Sequence, residues 1–264
     1  MSKNYKRTTE LNDIKSASTG SCTAFYGKSP WRMRPIGKIH GLRLLLDVLA
    51  KRIHFMISIS VITPTIRPEG LKVVSDSLKK QTFKDFEWLI EVNVSGVPDL
   101  NKAMNRMIRR AQGDLIVSVQ DFLELPEDGL EKFWEAHLLN SRAFFTAPVG
   151  ITHDWKNIKW DWRIQKEKCS WQEWEIDWGA TPRQALIKIG GFDENLDEYW
   201  GFDNVNVALR AELHNYDFVC LKDNKAIAYD HNKDMKHPFM HLRNVDYHNY
   251  RLDQIRMGQF EGFL

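Results

Sequence analysis

Two carboxylates stand out by their surroundings. Asp121 lies in Gln120-Asp121-Phe122, directly behind the β-branched run Leu115-Ile-Val-Ser-Val119, with Glu124 close by. Asp203 lies in Trp200-Gly201-Phe202-Asp203-Asn204, and a further acidic pair, Asp193 and Glu194, follows Gly190-Gly191-Phe192. Carboxylate oxygens are the ligands that hard cations such as Mg²⁺ take, and a carboxylate is also a general base when a hydroxyl must lose its proton. Between the two sites Trp155, Trp160, Trp162, Trp171, Trp174 and Trp178 make up six of the ten tryptophans. Indole faces stack on sugar rings or nucleobases, and they equally fill cores and oligomer contacts. Asp193 and Glu194 can touch sugar hydroxyls or simply shape the Gly-Gly turn.

These residues need a frame, and the hydropathy pattern supplies one. Ile57-Ser-Ile-Ser-Val-Ile62 predicts a buried strand stopped by a turn at Thr63-Pro64-Thr65. A helical stretch through Leu71, Val74, Leu78 and Lys79 follows, then a second strand, Phe86-Glu-Trp-Leu-Ile-Glu-Val92. Leu100 to Ala111, with Met104, Met107 and Ile108 on one face, predicts another helix, and Leu115–Val119 a third strand. Such alternation builds an α/β domain with a mostly parallel sheet and helices on both faces. Its ligands sit at the carboxyl ends of the strands, so the loops after Ile62, Val92 and Val119 are the candidates.

Three stretches over residues 56 to about 232 then read together. Ile59-Ser-Val-Ile-Thr-Pro-Thr-Ile-Arg-Pro-Glu69, with Ser77-Leu78 and Gln81-Thr82-Phe83, resembles the opening of family-two glycosyltransferases. Asn101-Lys-Ala-Met-Asn105 through Ala111-Gln-Gly-Asp114 to Gln120-Asp121 and Pro126 resembles that family's nucleotide segment and acidic metal motif. Trp178-Gly-Ala-Thr-Pro-Arg183, Ile189-Gly-Gly-Phe-Asp-Glu194 and Trp200-Gly-Phe-Asp203 with Arg210 are similar to the acceptor half of the same family and of animal galactosyltransferases.

The resemblance implies a GT-A fold, a Rossmann-like mixed and mostly parallel sheet flanked by helices. It also implies a nucleoside-diphosphate sugar donor, a UDP-sugar foremost, an acceptor glycan or other hydroxyl, Mn²⁺ or Mg²⁺, and transfer with inversion. Carried onto this chain, it places Thr63, Pro64, Thr65, Arg67, Asn93, Asn101, Asn105, Gln120 and Asp121 around the donor. Trp178, Gly191, Asp193, Glu194, Trp200, Gly201 and Asn204 fall around the acceptor. Asp203 becomes the base, or else an ordinary helix cap, while Asp121 and His231 hold the metal. An isolated His near a strand end is otherwise a polar surface residue. Arg67, Asn101 and Asn105 contact ribose, base or diphosphate, or serve as a turn cation and helix caps. The chain departs from the family pattern at Asn93, Phe122 and Asn204, each standing where the family carries an acid. A binding module that no longer turns over is therefore the alternative, and a nucleic-acid binder a third.

Composition narrows the classes. With 43% hydrophobic and 27% charged residues over 264 positions, the chain is an ordinary folded sequence. Cys22, Cys169 and Cys220 have no paired spacing, so neither a disulfide framework nor a cysteine zinc site is expected. No apolar run reaches bilayer length and no secretory signal is evident, which predicts a cytoplasmic protein. Residues 1–55 hold 11 Lys/Arg against 3 Asp/Glu, leaving 26 against 32 in the rest. That basic arm, with a short helix over Leu42–Ile53, either touches nucleic-acid phosphates or is merely solvated. The expected domain spans 56–232, with a donor half at 56–126 and an acceptor half at 145–232. The tail, 233–264, carries His241, Arg243, His248 and Arg251 and is either a lid over the donor or a solvated basic helix.

Overall fold

A computed structural model describes residues 57–93, 99–154, 156–197, 202–229 and 240–264. The first strand, β1 (Ile59–Thr65), leads through a 3-10 turn at Pro68–Gly70 into α1 (Leu71–Lys80), then β2 (Phe86–Val92), α2 (Leu100–Arg110) and β3 (Leu115–Val119). β1 pairs in parallel with β2 along its whole length, and with β3 from Ile59 to Ile62. The strand therefore runs straight through Thr63-Pro64-Thr65, where a turn was expected. Pro64 lies beyond the last β3 partner, on a stretch where one side of β1 needs no ladder bond, and proline is tolerated in such places.

The chain continues as β4 (Leu123–Glu124), α3 (Gly129–Leu139), β5 (Ala143–Thr146), β6 (Val149–Thr152), β7 (Lys159–Trp160), a 3-10 turn at Trp162–Gln165 and β8 (Trp178–Pro182). After α4 (Arg183–Lys188) and a 3-10 turn at Glu194–Leu196 come α5 (Asp203–Leu213), β9 (Asp217–Cys220), β10 (Ala226–Tyr229) and α6 (Met240–Arg256). The main sheet has the order β2-β1-β3-β8-β5-β9, and a second sheet the order β4-β10-β6-β7. All strands of the main sheet run the same way except β8, which is antiparallel to both β3 and β5. β8 starts opposite the end of β3, Trp178 against Val119, so the tryptophan-rich tract ahead of it is delivered to the carboxyl edge of the sheet.

Both faces of the sheet are covered. Ile59, Val61, Leu115, Val117, Phe145 and Trp178 point to one side and meet Val74 and Leu78 of α1 and Leu130 and Phe133 of α3. Ile62, Ile116 and Phe144 point to the other and meet Met104, Met107 and Ile108 of α2, Leu186 of α4 and Val207 and Ala208 of α5. Successive strand residues face opposite ways, so one strand feeds two cores and reads as a continuous apolar run. Lysines 79 and 80 and arginines 109 and 110 close the last turns of α1 and α2, where cations complement the helix dipole.

The described part of the tail is tied to the body at residues 190–193. Arg251 Nε donates to Asp193 at 2.8 Å, and the Phe263 amide donates to the Gly190 carbonyl at 2.7 Å. Among the described residues no helix is long and apolar enough to cross a membrane.

Candidate active site

At the end of β3, Asp121 is only 8% exposed. Its Oδ2 accepts from the Thr65 hydroxyl at 2.5 Å and from Arg67 Nε at 3.1 Å, and its Oδ1 accepts from Arg67 Nη2. Thr65 accepts in turn from the Arg67 amide at 2.8 Å. The guanidinium also lies over the Phe122 ring, 5.2 Å from its centroid. Phe122 has φ 59°, in the left-handed region that few non-glycine residues occupy. The turn that holds this together needs Gly70, because a Cβ there would stand 2.5 Å from the Phe122 ring and 2.9 Å from Asp121 Cβ. Beside it Gln120 is exposed, and Asn93 joins β1 to the next loop: its amide donates to the Thr65 carbonyl at 2.9 Å and its Nδ2 to Asp99 at 2.5 Å. Thr63 is placed differently from the expectation. It is fully buried with its hydroxyl accepting from Trp88 Nε1 at 3.0 Å, so it cannot reach a nucleoside.

Across the same edge, Asp203 is the first residue of α5, entered through Phe202 at φ 68°. Its Oδ1 accepts from Asn101 Nδ2 at 2.7 Å, which ties α5 to the start of α2. Burial pushes the Asp203 carboxyl up to about 7, with Asp197 adding to the shift and the Asn101 amide opposing it. Asn101 is almost wholly buried, and its Oδ1 has no hydrogen-bond partner. The start of α2 is capped from far along the chain: Asp197 accepts from the Asn101 amide at 2.5 Å and the Lys102 amide at 2.9 Å, while the Asp99 side chain at the cap position makes no capping bond. Burial still raises the Asp197 carboxyl against those two amides.

Several residues assigned to the ligands are occupied by the scaffold instead. Asn105 is buried, with Oδ1 accepting from the Phe192 amide at 2.9 Å and Nδ2 donating to the Phe192 carbonyl at 3.0 Å and to Glu194 at 2.9 Å. It clamps the Gly-Gly turn onto α2. Gly191, at φ 70°, is buried in that clamp; a Cβ would meet Asn105 Oδ1 and Leu264 at 2.5 Å each, so the glycine serves close packing and not an acceptor. Asp193 is buried against Arg251 and caps the 3-10 turn through the Asn195 amide at 3.2 Å. Trp178 is 0% exposed, edge-on to Phe133, with Nε1 donating to the Asn224 carbonyl at 2.8 Å. An indole with no open face stacks on no sugar, and Trp174 is buried in the same way. Trp162 keeps an exposed ring, with Lys166 Nζ 4.9 Å above it.

Tertiary contacts add residues that the sequence reading passed over. Asn204 Nδ2 donates at 2.6 Å to Glu175, a part-buried carboxylate from the tryptophan-rich tract. Burial raises the Glu175 carboxyl, helped by the nearby Asp177. Asp177 itself is locked by the buried Arg163, which also holds Asp161 and Thr146. The Gln120 amide donates to the Asp177 carbonyl at 3.2 Å, so this acidic loop borders the Asp121 turn. Behind Asp203, His248 stacks on Phe202 at 4.3 Å and 14°. The only available signal for Glu175 and Asp177 was their place ahead of a strand that ends up beside β3.

Asp121, Arg67, Asn93, Asn101 and Asp203 thus share the carboxyl edge of β1, β2 and β3. Trp155, Trp200, Gly201, His231, the arm with Leu42–Ile53, and the side chains of His241 and Arg243 lie outside the described residues. The described residues fit a resident divalent cation poorly. No three His, Cys, Asp or Glu side chains converge among them, and both oxygens of Asp121 are engaged by Arg67 and Thr65. A cavity of about 370 Å³ lined by Cys169, Trp171, Tyr216 and Phe218 opens by the start of β9, at the opposite edge of the sheet from these residues.

No protein-family model and no curated protein matches the chain. Among solved structures it is similar to residues 1–349 of TarS from S. aureus in complex with UDP, at TM-score 0.52 and 14% identity, over 66% of this chain and 60% of that one. The complex of the same TarS segment with UDP-GlcNAc gives TM-score 0.51 and 14% identity over 66% and 58%. Longer TarS gives 0.52 and 15% over 76% and 42%. The likeness is one of fold. It establishes that the mixed α/β architecture is shared with TarS, and the chain spans about 60% of the TarS segment's length.

Proposed function

We propose that this protein transfers a sugar from a nucleoside-diphosphate sugar, foremost a UDP-sugar, to an acceptor hydroxyl with inversion, using Asp203 as the base. The observation that carries the reading is Asp203 itself, at the head of α5, hydrogen-bonded to Asn101 and raised to about 7. A general base is most effective when its pKa lies near the working pH. Support for the donor comes from the shared fold of TarS, whose structures hold UDP and UDP-GlcNAc. It comes also from the crevice rule that puts ligands at the carboxyl ends of parallel strands.

In this reading the nucleotide lies along Thr65, Arg67, Asn93 and Gln120. Acceptor oxygen attacks the anomeric carbon from the Asp203 side as the bond to the diphosphate breaks. The proton passes to Asp203, and the electron pair leaves with the nucleoside diphosphate. We place the protein in the cytoplasm, a reducing compartment that the free thiols Cys169 and Cys220 suit.

A binding module without turnover is the second reading, favoured by the amide of Asn204 at an acidic position of the family motif. The test is UDP release from a panel of UDP-sugars, with thermal shift as the binding readout. Ligand at about 100 times Kd adds ~2.7 kcal/mol of stability. Stabilisation with release that Asp203→Asn abolishes supports the transferase. Stabilisation without release selects the binding module, and no stabilisation by any nucleotide sugar removes both.

A further inference from the structure

We propose that the positive charge on the donor's diphosphate is the guanidinium of Arg67, held in place by Asp121, so that nucleotide binding and transfer here need no divalent cation. The inference rests on the nucleotide-sugar reading above and assigns the charge that reading requires.

Asp121 is where the family resemblance puts the metal, yet its two oxygens already meet an arginine side-on, with Thr65 filling a further acceptor position. A carboxylate gripped in this way has given its charge and its in-plane lone pairs to the fork. A cation arriving there would have to displace the buried Thr65 hydroxyl or the Arg67 fork, and it would face the guanidinium's own charge. Among the described residues, the positions flanking Asp121 offer it no second carboxylate, since Gln120 and Phe122 carry no charge and Glu124 belongs to β4 and is exposed.

What has been built instead is a seat for a cation of the protein's own. Asp121 fixes the orientation of the guanidinium, Thr65 holds the Arg67 amide, and the Phe122 ring covers one face at the cost of a left-handed backbone. Gly70 lets the turn close on all of them. The Arg67 side chain remains 32% exposed, at the carboxyl ends of β1 and β3 where the diphosphate is expected. A guanidinium presents five donors in a plane, a geometry that matches phosphate oxygens. As the bond from the anomeric carbon to the diphosphate breaks, the developing negative charge falls beside this fixed cation. It is then stabilised without any rearrangement of the protein.

The test is isothermal titration of UDP, and of UDP-GlcNAc, into the full chain stripped of metal, with EDTA and again with Mn²⁺. The expected Kd is the same within about twofold in both buffers. Arg67→Ala and Arg67→Lys each weaken binding in EDTA by about tenfold to a hundredfold, the scale of a lost charge-assisted hydrogen-bonded pair. Circular dichroism of both variants confirms that the fold is retained, and Arg67→Lys keeps the charge while losing the fork. Binding that appears only with Mn²⁺ overturns the inference and leaves the transferase reading standing. Equal binding in EDTA that neither variant weakens overturns the role of Arg67. No binding of either nucleotide in either buffer overturns the nucleotide-sugar reading and this inference together.

Discussion

Replacing Asp203 by asparagine separates chemistry from stability. The carboxyl is raised from 3.8 to about 7, chiefly by burial. Between those values the folded protein keeps a proton that the unfolded chain has lost, so stability declines as pH rises through this window and is level above it. The decline is ~1.36 kcal/mol per pH unit, or ~4 kcal/mol over the whole shift. Asparagine is isosteric, carries no charge to desolvate, and can still accept from Asn101. It gives up the attraction of a carboxylate for the helix N-terminus, ~0.3–1 kcal/mol. Asp203→Asn is therefore expected to be about 3 kcal/mol more stable than the parent at about pH 8, and nearly equal to it at about pH 4. Turnover is lost while UDP binding is kept. Urea unfolding of both proteins across that range gives the difference directly, and groups other than residue 203 cancel in it. A variant less stable than the parent at about pH 8, or a difference that does not change with pH, refutes the assignment of a buried, proton-holding carboxyl.

Three further outcomes follow from the same geometry. Asp197→Ala removes the cap on α2 and should lower stability by about 1–2 kcal/mol, read from the urea midpoint. It should also loosen Asn101 and so move the pH–rate profile, whereas a simple surface change would not. Trp178→Ala should cost ~3–5 kcal/mol through the cavity it leaves, whereas Trp162→Ala, on an exposed ring, should stay within ~0.5 kcal/mol. Glu175→Gln should leave UDP affinity unchanged and reduce acceptor-dependent turnover by about tenfold, the scale of one hydrogen bond to a charged group; equal turnover would make Glu175 a scaffold residue.

Much of the frame is legible in local pattern. The ranges Phe86–Val92 and Leu115–Val119 coincide with the strands found, and the helix expected over Leu100 to Ala111 runs one residue shorter, Leu100–Arg110, because the apolar periods there are unbroken. Pro64 misled, since its cost in a strand depends on whether a neighbour needs its missing N–H, and that is a matter of sheet register. β8 gave no sign of running antiparallel. Its residues are buried on both faces and read as apolar in either direction.

The candidate site divides along the same line. Asp121, Arg67, Asn101 and Asp203 could be picked out in the sequence because motif and turn residues sit close to them in the chain. Their states could not. Whether Asp121 is open to a cation or held by Arg67, 54 positions away, depends on how two strand ends meet. Whether α2 is capped by Asp99 beside it or by Asp197, 96 positions away, depends on how a turn packs. Trp178 looked like an aromatic platform until β8 placed it in the core between two layers. The amino-acid order by itself determined which segments become strands and helices and which residues lie at their ends, since propensity and periodicity act over a few neighbours. Tertiary structure alone decided which charges are paired, which are buried and which face the crevice, since desolvation and pairing are set by groups that only folding brings together.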